Sequence, residues 1–190
     1  MNLFDFVKSS LEPKIRPTVY SLEGNGIPED LYWKGNLFRR SDGTSHCSGA
    51  IFYAVVEFLR EHSDLELNEF FTESLLREMM AYAWIYENYP REGLPLFLSE
   101  ILSLGTLRND APPQKGDVVQ VRRKNKTGHL IICAGYDQEG YLLEWSSSSR
   151  NQRGIEISHF KGEIEQAHCF TFDMNLPCFR NKRDTKEVRR

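Results

Sequence analysis

Three observations predict an α+β fold for this 190-residue chain. Apolar residues recur at helical spacing through its first half, and short strand-like runs bounded by turn residues fill its second. The change falls at one place, where Pro112-Pro113 and Gly116-Asp117 form a turn. The predicted architecture is therefore N-terminal helices packed on an antiparallel β-sheet.

The elements follow in order. Met1 to Leu11 is amphipathic and includes Asp5. It lacks a basic start followed by an apolar run of about 7 to 15 residues, so no Sec-type signal is expected. A loop containing Gly24, Gly26, Pro28, Gly35 and Gly43 leads to Cys47–Glu61, where Ile51, Val55, Phe58 and Leu59 form the apolar stripe of a core helix. A second helix is expected over Leu67–Tyr89, stopped by Pro90, with Met79 and Met80 as core packing. A third is expected over Leu96–Leu104, closed by Gly105. Val118–Val121 begins the sheet. Leu130–Ala134 is a continuous apolar run, as in a strand covered on both faces, and the Asp137–Gly140 turn links it to Tyr141–Trp145. Ile155–Ile157 and His168–Phe172 are the remaining strand candidates.

Composition excludes several function classes. With 40% hydrophobic residues, 24 Lys+Arg and 27 Asp+Glu, this is an ordinary globular composition. A chain of this length buries roughly 70% of its unfolded surface, enough for one core. The tail 180–190 holds six basic and two acidic residues, so the net −3 is a body of −7 carrying an appendix of +4. An acidic body argues against nucleic acid as a ligand, and the charged tail reads as disordered. No apolar stretch reaches the roughly 18 to 20 residues of a membrane helix. Cys47, Cys133, Cys169 and Cys178 show no C-x-x-C spacing, so they read as separate thiols, with no metal or redox centre.

Chemistry concentrates at Ser45-His46-Cys47-Ser48-Gly49-Ala50, where a Gly-rich loop becomes a buried helix. A thiol at a helix N-terminus faces the positive end of the dipole, which favours the thiolate nucleophile. Small neighbours at 48 and 49 let a substrate carbonyl approach, and the Cys47 N–H is a candidate oxyanion donor. The plain alternative is a buried, inert cysteine. A nucleophile needs a base, and five histidines are available. His46 is sequence-adjacent and poorly aimed, and His62 is expected to face solvent. His129, behind Thr127-Gly128 at the start of an apolar strand, is held rigidly yet reachable. A third group should orient it. The midpoint of 129 and 144 is 136.5, close to the turn centre, so Glu144 is expected within a residue of the position opposite His129. Ser146–Ser149 could hydrogen-bond a polar substrate.

In this order, Cys47-Ser48-Gly49 opening a helix, Gly116-Asp117-Val118-Val119 entering a strand and Gly128-His129 starting an apolar strand resemble the NlpC-type cysteine peptidases of bacterial cell walls, in the papain-like superfamily. The resemblance implies a papain-like core, with Cys47 as nucleophile, His129 as base and Glu144 as the orienting residue. His46 stands where the family has aspartate, and Glu144 where it more often has histidine, asparagine or glutamine. Tyr32-Trp33-Lys34-Gly35 is the nearest match to the family's oxyanion-side segment, so Tyr32, Trp33, Ser48 and Ser146 are the expected substrate and oxyanion residues. The family comparison also implies one catalytic domain over 1–179 with a helical insert at about 63–110, because 82 residues separate Cys47 from His129.

The expected function is hydrolysis of amide bonds in peptidoglycan stem peptides through a thioester, with no cofactor, no nucleic acid and no membrane partner. Acyl transfer or another amidase reaction with the same dyad, or a silent binding module, are the alternatives. An inhibitor or immunity protein is a conceivable partner by analogy. Without a signal, the expected location is cytoplasmic, or outside the cell by a route that reads no N-terminal signal.

Overall fold

The computed structural model describes residues 1–84, 90–150 and 154–179. Helices and an antiparallel sheet share one main core, an α+β arrangement. The N-terminal stretch is helical: α1 (Leu3–Phe6) continues through a wide turn over Val7–Leu11, burying Leu3, Phe6, Val7 and Leu11 at helical spacing. The Gly-rich loop, expected to be irregular, holds four short strands. β1 (Val19–Tyr20) pairs in parallel with β4 (Thr44–Ser45), and β2 (Leu31–Trp33) pairs with β3 (Asn36–Arg39). Lys34 and Gly35, both at positive φ, turn that hairpin.

α2 (Cys47–His62) is the central helix, with Ala50 to Val56, Phe58 and Leu59 buried. The next helix differs from expectation. α3 spans Glu73–Trp84 rather than starting at Leu67, because Thr72 accepts the Leu75 N–H at 3.2 Å and caps it there. Leu65–Leu67 forms only a separate 3-10 turn. The expected C-terminal part, 85–89, lies outside the described residues.

α4 (Gly93–Leu96) runs on as a wide helical turn through Ile101. Gly105 does not close it but opens β5 (Gly105–Asn109), which sequence patterning missed. A Cβ at Gly105 would sit 1.9 Å from the Thr171 carbonyl oxygen, so the residue is small to let two strands meet.

The six-stranded sheet has the order β5-β10-β6-β7-β8-β9, antiparallel throughout, with β6 (Val118–Arg123), β7 (Gly128–Tyr136), β8 (Leu142–Ser147), β9 (Ile155–His159) and β10 (Ile164–Phe172). Alternation gives it two faces. Val118, Leu130, Ile132, Trp145 and Phe170 join the main core with α1, α2 and α4. Val119, Val121, Ile131, Cys133, Ala167 and Cys169 form a second, smaller core. The 63–110 segment contributes to the packing. Leu76, Met79, Leu94, Phe97 and Leu98 belong to the main core, and β5 is an edge of the sheet. The tail 180–190 lies outside the described residues. Among the described residues, no helix is long and apolar enough to cross a membrane.

Candidate active site

The site begins at the first turn of α2. His46 is its N-cap: extended backbone places Nδ1 3.2 Å from the Gly49 N–H, which it accepts. Burial, and to a lesser degree the charge of Arg39, lower the His46 pKa. The cap is therefore a neutral acceptor. The ring packs edge-on to Trp84 at 5.1 Å. Gly49 is small for a reason other than substrate access: a Cβ there would lie 2.0 Å from the Gly26 carbonyl oxygen. Gly26 in turn has φ +72, and its own Cβ would strike the His46 ring. Loop, cap and helix are thus stacked tightly behind the thiol.

Cys47 is half-buried; its sulfur lies 3.9 Å from the Ser48 hydroxyl and close enough to the His129 imidazole and the Leu130 backbone N–H to feel both. Burial alone would raise the thiol pKa. The hydrogen bond and charge of His129, with the Leu130 N–H and Ser48, outweigh it and hold the pKa down at about 7. His129 moves the other way. Burial would lower it, but its bonds to Cys47 and Glu144 and their charges raise it to about 9.

His129 Nε2 lies 3.3 Å from a Glu144 oxygen and 3.3 Å from Ser146 Oγ, and Ser146 also reaches Glu144 Oε1 at 3.3 Å. All three residues are buried. The Gln120 amide donates to the His129 carbonyl at 3.2 Å, fixing the strand end from which the ring projects.

The contact between His129 and Glu144 does not arise from the expected pairing. The backbone partner of Glu144 is Cys133, and extending that register puts position 148 opposite His129, four residues further on. Both side chains share the face of Ile131 and Cys133, and they meet diagonally along it.

A second, buried polar link ties the two halves together. Ser45 Oγ, one residue before the cap, is 2.6 Å from Thr18 Oγ1 and 2.7 Å from Ser147 Oγ. β4, which leads into Cys47, is thus joined by hydroxyls to β8, which carries Glu144 and Ser146. Gly154 packs on this link, where a Cβ would lie 2.2 Å from Thr18 Oγ1.

Of the residues singled out in the sequence, the fold brings together Cys47, Ser48, His129, Glu144 and Ser146. It does not bring Tyr32 or Trp33. Trp33 is buried against the Phe71 ring at 4.9 Å, and Tyr32 is exposed on the β2–β3 hairpin. Tyr20 is the aromatic residue missed. Burial raises its pKa, and the next contribution is the charge of Cys47, so its phenol lies within electrostatic reach of the sulfur. Only the parallel pairing of β1 with β4, set by contacts distant in sequence, puts it there.

Neither the Cys47 nor the Ser48 amide has a hydrogen-bond acceptor among the described residues, as first-turn N–H groups commonly do not. Both are available to an oxyanion. The remaining histidines are engaged elsewhere. His62 packs against Phe6 and Phe58 rather than facing solvent, His159 pairs with Asp137, and His168 with Asn109. Among the described residues no group of three His, Cys, Asp or Glu side chains could hold a metal ion. A cavity of about 500 Å³ between the N-terminal helices and β9 is lined by Trp145, Ile155 and Arg16, and none of the site residues borders it.

No family model, curated protein or solved structure matches this chain. Its chemistry rests on its own geometry.

Proposed function

We propose that this protein is a cysteine hydrolase of amide bonds, built on a papain-like helix-and-sheet core and acting on peptidoglycan stem peptides. One observation carries the reading: the imidazole that holds down the thiol at the start of a buried helix also lies 3.3 Å from a buried carboxylate. The choice of stem peptides follows the ordered resemblance of Cys47, Gly116-Asp117 and His129 to the cell-wall peptidases.

Between about pH 7 and about 9 the resting pair is thiolate and imidazolium. The sulfur attacks the amide carbonyl, the carbon–sulfur bond forms, and the carbonyl electron pair moves onto oxygen, where the Cys47 N–H can donate. On collapse the carbon–nitrogen bond breaks as His129 passes its proton to the departing amine. Water then attacks the thioester, His129 takes the water's proton, and the sulfur leaves as thiolate. Glu144 and Ser146 hold the ring and stabilise its protonated form.

Cys47→Ala should lower cleavage of stem-peptide fragments by at least about 10³-fold, read by mass spectrometry of products, while circular dichroism stays unchanged. Retained cleavage would rule the mechanism out. For the native enzyme kcat/KM should rise as pH passes about 7, where the thiolate forms, and fall as it passes about 9, where His129 loses its proton.

A further inference from the structure

The hairpin of β6 and β7 ends in a cluster of cations, and all but one of the described ones on it has a carboxylate. Arg122 pairs with Glu165 at 3.3 Å, Lys126 with Glu165 at 2.6 Å, and Lys124 with Glu163. Arg123 has no acidic partner among the described residues. Its neighbours are neutral: Nε donates to the Lys161 carbonyl at 3.1 Å, and the guanidinium lies over the Phe160 ring, 5.0 Å from its centroid.

The position is built. Gly162, at φ +115, leaves room for the arginine stem, since a Cβ there would lie 3.0 Å from Arg123 Cδ. Stacking and the carbonyl bond hold the planar group in place while its Nη edge stays free to make a bidentate contact.

The position also adjoins the dyad. Alternation puts Arg123 on the face of Val121 and His129, which are paired across β6 and β7. The Phe160 ring that supports the guanidinium lies 6.3 Å from the His129 ring. These separations keep the guanidinium within about 11 Å of the imidazole, the length of about three extended residues. Tyr20 senses the charges of both Cys47 and Arg123.

We propose that Arg123 is a substrate-binding residue that receives a carboxylate one to three residues from the scissile amide, so that the enzyme selects acidic peptides. This rests on Cys47 being the nucleophile and names the class of substrate that nucleophile meets.

The test uses the full chain and two thiol probes, N-iodoacetylglycine and its uncharged carboxamide, with alkylation of Cys47 followed by mass spectrometry. The native protein should prefer the charged probe. Arg123→Gln should lower that preference at least about threefold, Arg123→Lys should retain part of it, and Lys124→Gln, which removes a nearby charge already paired, should leave it unchanged. A preference unaltered by Arg123→Gln, or lowered equally by Lys124→Gln, overturns the anchor. Failure of the underlying catalytic reading looks different: Cys47 would then react with the neutral carboxamide no faster than an ordinary thiol at pH 7.

Discussion

Two buried polar clusters lie on the same face of the sheet, and they treat their thiols in opposite ways. In one, the Glu144 carboxylate meets His129 and Ser146, and the thiol alongside, Cys47, is held down at about 7. In the other, the Asp117 carboxylate meets Arg108, the Thr171 hydroxyl at 2.5 Å and the Gln114 N–H at 2.7 Å. The thiols near it, Cys133 and Cys169, are pushed up to about 11 and about 12, chiefly by burial. Each cluster has a carboxylate, a cation and a hydroxyl. The difference is the cation and where the thiol sits. Arg108 spends its charge on Asp117 and stays protonated, whereas His129 is a titrating group that lies by a cysteine at a helix start, beside a backbone N–H.

That contrast can be tested from its largest consequence downward. At pH 7 about half of Cys47 is thiolate, against roughly one part in 10⁴ or fewer of Cys133 and Cys169. Iodoacetamide should therefore modify Cys47 more than about 10²-fold faster than either, resolved by peptide mapping. Comparable rates would erase the distinction.

Asp117→Asn should next destabilise the fold by about 2 to 4 kcal/mol in urea titrations, because the partly exposed Arg108 loses its carboxylate. Activity per folded molecule should stay within about twofold of native. A large loss of kcat would place this cluster in catalysis instead.

Glu144→Gln sharpens the comparison from the other end. Without the carboxylate's charge the His129 pKa falls from about 9 toward its ordinary value. The alkaline limb of kcat/KM should move to lower pH, and the plateau should narrow with about a 10-fold to 10²-fold loss of rate. An unmoved limb would deny Glu144 its part in holding the imidazolium.

How much of this was legible beforehand differs by residue. The helix opening at Cys47 and the strand opening at His129 follow from local pattern, since helical spacing and a bounded apolar run are properties of contiguous sequence. Glu144 was located by an argument that assumed a register the strands do not adopt. The irregularity between Cys133 and Gly135 and the length of a glutamate side chain brought it to the imidazole nonetheless. Tyr20 and the Thr18–Ser45–Ser147 link carried no local signal, because each depends on segments joined only in the folded chain. The short strands in the Gly-rich loop were hidden for a related reason: two to four residues are too few to show a period.

By itself, then, the sequence determined the α+β class, the helix that opens at Cys47 and the strand that carries His129. Tertiary structure decided that the Cys47 thiol is held down while Cys133 and Cys169 are pushed up, that Glu144 reaches the His129 imidazole, and that Arg123 alone among the described cations of the β6–β7 hairpin is left without an acid. Those outcomes depend on distances of a few ångströms between side chains far apart in the chain, where burial makes electrostatic contacts strong and local periodicity carries no information about them.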